Sequence, residues 1–183
     1  MVFQRAMDKN EKRIEVKQTS LEMLSPDDLT SYQSDDQRIR IQQAINCPAS
    51  FFRYLYAEVG REYHWVDRLS WTDDEIRAYL ADPGVSLWVM HYDGSPAGYF
   101  ELKKEENAST ELAYFGLLKE FIGRGLGKHL LSFAIAQAWG DGARRVWVHT
   151  CTLDGPTALP NYLKRGFKPF DETTYFVTRS SEE

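Results

Sequence analysis

Cysteine is scarce: Cys47 and Cys151 are the only two in 183 residues. That excludes a disulfide-framed secreted scaffold and predicts reduced thiols in a cytoplasmic setting. Long apolar runs are missing too. No stretch approaches the ~18 residues a membrane-spanning helix needs. The opening MVFQRAMDKNEKRIE lacks the apolar centre of a secretory signal. The expectation is therefore a cytoplasmic protein with no membrane partner. There is no basic stripe either: 22 Lys and Arg stand against 27 Asp and Glu, a net charge of −5. Such a chain has no electrostatic footprint for nucleic acid. Repeats, low-complexity tracts and linkers are lacking as well. One domain is expected over 13–183, preceded by a flexible polar segment, 1–12. No metal is expected.

What the chain does have is aromatic surface. Phe, Trp and Tyr make up 14% of the residues, within an otherwise ordinary 43% hydrophobic and 27% charged composition. Such a surplus suits a pocket lining as well as a core.

Local patterns place the elements. RIEVKQTSLEML (13–24) partly alternates and predicts a strand. Ser25 and Pro26 open a helical turn. Residues 36–46 are expected as a short helix that Pro48 stops. Ser50 is expected to cap FFRYLYAEVG (51–60), and TDDE (72–75) is a capping box for a helix over 73–82. Strands are predicted at 85–92, 97–104, 110–118 and 144–151, with DGSP as the turn of a hairpin. Residues 125–139 place Leu126, Leu130, Leu131, Ala134, Ile135 and Ala138 on one helical face. A short helix near 156–165 ends at Gly166, and FKPFDETTYFVTR holds one or two last strands. Helices, then a meander, then strand–helix–strand predict a mixed α/β sheet.

The segment EFIGRGLGKHLL (120–131) joins a strand to a helix and carries glycines at 123, 125 and 127. First-turn amides have no intrahelical acceptor and sit at the positive end of the helix dipole. They suit an anion, and several consecutive amides suit a pyrophosphate. Arg124 and Lys128 add charge. The segment is not a Walker A loop, because His129 follows Lys128 and Ile122 stands where the first glycine belongs. Nor does G-x-G-x-G, late in the chain, match the Rossmann fingerprint.

LLKEFIGRGLGKHLL (117–131) resembles motif A of the GNAT N-acetyltransferase superfamily, V-x-P-x-[Y/F]-[R/Q]-G-x-G-[IL]-[GA]. ALPNYLKRGF (158–167) resembles the family's A-x-x-x-Y-x-x-x-G-F segment, in the family's order and at about its spacing. The likeness covers about 85–170. Three positions depart from it: Ile122 replaces Arg or Gln, Lys119 replaces proline, and Asp154-Gly155 stands where an asparagine often sits.

The resemblance implies an acetyl-CoA-dependent N-acetyltransferase whose cofactor lies between splayed strands 110–118 and 144–151. It implies pantetheine pairing near Leu117 and a pyrophosphate on the amides of Ile122, Gly123, Arg124, Gly125, Leu126, Gly127 and Lys128. It offers Glu111 as general base, or a water chain in place of any named base, and Tyr162 as the acid that protonates the leaving sulfur. His149 is the reserve base, with a free pKa near ~6.5. Strict alternation places Glu111, Ala113, Phe115 and Leu117 on one side of their strand, unless a bulge alters the parity. Cys151 is expected as a small hydrophobe, so direct attack in a ternary complex is favoured over an acetyl-enzyme.

The acceptor pocket falls to the N-terminal half. Seven aromatics crowd residues 51–71, and helical spacing assigns most of them to the core. Tyr63, Trp65 and Asp67 are the substrate candidates, with cation–π and charge as the means of holding an ammonium. His64 is expected on the solvent side. A small-molecule amine is the expected acceptor; a protein amine is the rival, and a homodimer is compatible with the sequence. The rival of another class is an acyl-CoA-binding sensor without turnover.

Overall fold

A computed structural model describes residues 11–180, with side chains from 13 to 178. The flexible segment expected over 1–12 lies outside the described residues up to residue 10. Glu11 and Lys12 already belong to the first strand.

Seven strands form one sheet: β1 (Glu11–Met23), β2 (Ile39–Gln43), β3 (Val85–Tyr92), β4 (Ser95–Lys104), β5 (Ser109–Leu117), β6 (Arg145–Cys151) and β7 (Lys168–Ser180). Their order is β2-β3-β4-β5-β6-β1-β7. Every neighbouring pair is antiparallel except β5 and β6. Four helices cover the faces: α1 (Ala49–Gly60), α2 (Asp73–Leu80), α3 (Leu126–Gly140) and α4 (Ala158–Arg165). None of the described helices is long and apolar enough to cross a membrane. The mixed α/β sheet is as the pattern of elements predicts.

Two cores result, one on each face. The six apolar positions read on α3 are all buried, and they pack with Phe100, Leu102, Leu112 and Val148. On the other face Phe52, Leu55 and Val59 of α1 and Ile76 of α2 pack on Val89 and Tyr99. The capping box forms as expected: Thr72 accepts from the Glu75 amide, and Glu75 accepts from Thr72.

Two local expectations fail. Residues 39–43 are an edge strand rather than part of a helix, because pairing with β3 overrides a weak helical pattern. Helix α1 begins two residues earlier than read, at Ala49, with Pro48 and not Ser50 at its cap position. Pro48 lacks the amide that a preceding turn would require, so the helix starts there.

One irregularity in β5 positions the site. Glu101 pairs with Tyr114 and Leu102 with Leu112, so Ala113 is an extra residue without a partner. Such a bulge bends its strand and resets which side chains share a face. It lies just beyond the last contact of β5 with β6, at Glu111 and Trp147.

Candidate active site

Strands β5 and β6 touch only over Ser109–Glu111 and Arg145–Trp147. Beyond that point each follows a different neighbour. β5 stays with β4 as far as Leu117, and β6 stays with β1 as far as Cys151. The sheet opens into a wedge with a cavity of about 340 Å³. Leu118 donates to Ala97 at 2.9 Å on the β4 side. By strand alternation the N–H and C=O of Leu117 then face the wedge, unpaired with β6. An extended ligand can add itself there as a strand would.

The wedge runs to the start of α3. Gly123 and Gly125 have φ of 82° and 77°, a left-handed backbone that suits glycine. A side chain at Gly123 would meet open space, so the loop is bare for reasons other than packing. The amides of Gly123, Arg124 and Gly125 donate to no backbone acceptor, and those of Leu126, Gly127 and Lys128 begin the helix. Six consecutive amides, from Gly123 to Lys128, are therefore left without a backbone acceptor or stand in the first turn of α3, next to the wedge.

Leu117, Ile122 and Gly127 line the cavity directly. The side chains of the other loop residues point elsewhere. Leu126 is buried in the core. Arg124 stacks 5.1 Å from the centre of the Phe121 ring. Lys128 sits 3.8 Å from the centre of the Tyr32 ring. The segment carrying Tyr32 is tied onto α3 where Ser34 donates to His129 Nδ1 and Tyr32 to Ser132. The cradle is thus main chain, with its cations parked at the rim.

Tyr162 comes from α4 and lines the same cavity, buried and packed edge-on against Phe115 and Phe167. Burial, aided by nearby Asp154, pushes its pKa well above the usual phenol value. The hydroxyl is a proton donor over the whole working pH range. Gly166 places this helix: its φ is 106°, and a side chain there would meet the Asp28 carbonyl oxygen at 1.9 Å.

Glu111 does not line the cavity; His149 does. The two side chains meet behind the wedge, His149 Nδ1 lying 3.5 Å from Glu111 Oε1. That carboxylate raises the His149 pKa above its ordinary value, against the opposing effect of burial. The bulge at Ala113 overturns the simple alternation expected for β5. Leu112, Phe115 and Leu117 pack on the α3 side, and Tyr114 packs on the α1 side. Cys151 borders the cavity with its thiol pKa raised by burial, which keeps it protonated and a poor nucleophile.

Tyr63, Trp65 and Asp67 all reach the cavity wall. Trp65 also packs edge-on to Tyr114 and Tyr99, so it is partly core. His64, expected on the solvent side, is half-buried at the same wall with φ of 57°. Sequence reasoning missed Gln18, Tyr175 and Val177, which complete the wall from β1 and β7. Nothing local marks them; only the pairing of the two end strands carries them there. It also missed the support behind the wall. Arg68 and Glu101 form a buried ion pair at 2.7 Å, and Tyr79 donates to the same carboxylate oxygen.

The acetyltransferase (GNAT) family model matches residues 49–167, the span that holds the wedge, the glycine loop and Tyr162. This chain belongs to the GNAT family. An uncharacterized N-acetyltransferase of Mycobacterium bovis is 32% identical over 90 residues, covering 49% of this chain and 57% of that protein. Another from Escherichia coli K12 is 31% identical over 101 residues, covering 54% of this chain and 60% of that protein. The chain therefore spans somewhat more than half the length of these relatives. A GCN5-related N-acetyltransferase from Kribbella flavida superposes with a TM-score of 0.63 at 18% identity, over 95% of this chain and 61% of that one. One from Sphaerobacter thermophilus gives 0.67 at 13% identity, over 93% and 53%. At these identities the GNAT structures share the fold and no more.

Proposed function

We propose that this GNAT chain is an N-acetyltransferase that moves the acetyl group of acetyl-CoA to a primary amine of a small molecule, by direct attack in a ternary complex. The observation that carries the reading is the wedge between β5 and β6, which opens onto unpaired main-chain amides. Those amides fit the coenzyme's pyrophosphate, and the inward-facing backbone of Leu117 fits its pantetheine arm. Ile122 adds an apolar contact in place of the family's side-chain donor. The part of the cavity walled by Tyr63, Trp65, Asp67 and His149 is confined, which suits a small acceptor beside the coenzyme's arm. The net charge of −5 speaks against a nucleic-acid partner, and two unpaired cysteines fit a cytoplasmic setting.

Bound acetyl-CoA supplies the thioester whose carbon–sulfur bond breaks as the nitrogen–carbon bond forms. The protein's part is proton management. His149 takes protons from the acceptor nitrogen through Nε2, because Nδ1 is held toward Glu111. Glu111 is then a positioning residue, one step removed from the base expected from the resemblance. Tyr162 gives its proton to the departing sulfur and is recharged from solvent. An ammonium and a thioester become an amide, a thiol and one released proton.

The test is thiol release from acetyl-CoA across a panel of amines, with CoA affinity measured separately. Amine-dependent release is expected. Tight CoA binding with no release on any amine would leave only a CoA-binding module.

A further inference from the structure

The wedge is lined from both faces of the sheet, and these two sides, its α3 and α1 mouths, differ in chemistry. On the α3 face the lining is Ile122, Gly127, Asn161 and Tyr162. On the α1 face it is the segment 63–67 with His149, Cys151 and Tyr175. Strand register sets that second group together: His149 pairs with Ser20, Cys151 with Gln18 and Tyr175 with Val16, alternate residues on one face of β1.

Among the described lining residues the formal charges are Asp67 and Asp154, and no lysine or arginine is present. Glu111 adds a third carboxylate behind His149. The cation next in sequence, Arg68, is turned inward. It pairs with Glu101 and is boxed by the rings of Trp71, Tyr79 and Tyr114 at 4.8, 4.3 and 4.1 Å. Its charge is neutralised inside the fold and unavailable to a ligand.

We infer that the acceptor is an amine carrying no carboxylate or phosphate, taken up as its cation at the Asp67 mouth. The inference rests on the transfer reading above. An ammonium is drawn by Asp67 and by the negative charge behind His149. Tyr63, Trp65 and Tyr175 line the same mouth, and aromatic rings there attract a cation. A carboxylate beside that nitrogen would enter among like charges with no counterion. Specificity built this way comes from rejection as much as from attraction. Free amino acids are thereby excluded, and diamines and aryl-alkyl amines are admitted.

The experiment uses acceptors that differ by one carboxylate: cadaverine against lysine, tyramine against tyrosine, histamine against histidine. With acetyl-CoA present, kcat/KM is expected at least ~10-fold higher for the decarboxylated member of a pair that is turned over. Asp67→Asn, at an exposed position, is expected to narrow that ratio about threefold. Equal or reversed preference overturns the inference and leaves the transfer reading intact. The same pairs are titrated calorimetrically into CoA-saturated protein. Selective binding of the amines without turnover upholds the cation-selective mouth but sinks the transfer reading, and with it the amine's role as acceptor. Equal or absent binding of both members, without turnover, overturns it.

Discussion

The two mouths of the wedge are made of different material. On the α3 side the ligand would meet backbone: amides freed by a helix start and by glycines with positive φ. On the α1 side it would meet side chains drawn from a loop and from strands β1, β6 and β7. A main-chain cradle is local, needs few residue types and binds what all members of a family share. A side-chain wall is assembled from distant segments and can change without altering the fold. Here the wall leans on a buried ion pair, and the loop leans on the start of α3 and on its left-handed glycines.

Removing that support is the largest expected effect. Arg68→Ala leaves Glu101, fully buried, without its cation, and a broken buried pair costs about 3–5 kcal/mol. Denaturant unfolding reads this directly. A loss below about 1 kcal/mol, the range of surface pairs, would mean that the wall does not depend on the pair. The cradle's partner is tested next. Tyr162→Phe is expected to lower kcat at least ~10²-fold, the low end for acid–base catalysis, with CoA affinity unchanged. Unchanged turnover would remove Tyr162 from the proton path.

The wall has its own chemical readout in pH. The raised His149 pKa predicts that kcat/KM climbs as pH passes upward through it. His149→Gln should flatten that limb and lower the plateau ~10-fold, less than usual for a base, because its side chain is 43% exposed and water can substitute. Glu111→Gln should move the limb to lower pH with the plateau kept, which a merely structural role would not do. The stability sign follows from the same shift. A histidine whose folded pKa exceeds the unfolded ~6.5 contributes fully below that value. The contribution disappears as pH rises through the folded pKa. Unfolding of the wild type and His149→Gln at acid and alkaline pH should diverge only at the acid end.

The smallest effect separates cradle from packing. Gly125→Ala strains a left-handed backbone by about 1 kcal/mol and should weaken CoA binding. Gly140→Ala, at the other end of the same helix with open space around it, should leave CoA binding untouched. Equal effects of the two would contradict a loop shaped for a ligand.

The difference between the mouths also explains what could be read early. The α3 face, the capping box at Thr72 and the left-handed end at Gly166 are set within a few residues, and all three stand as read. The strand at 39–43 was not legible, since its identity comes from β3, more than forty residues away. The bulge at Ala113 depends on how β4 meets β5, so the facing of Glu111 escaped simple alternation. Tyr175 and Gln18 carried no local signal at all.

Sequence alone determined the class of fold, the family and the bare glycine turn that opens α3. These follow from periodicity and glycine spacing, which act over one helical turn or one strand. Only the tertiary structure decided that His149 stands before Glu111, that Arg68 is turned inward, and that the cavity lining keeps Asp67 and Asp154 with no lysine or arginine among its described residues. Those outcomes are set by strand register and burial, and both are properties of segments that meet only once the chain is folded.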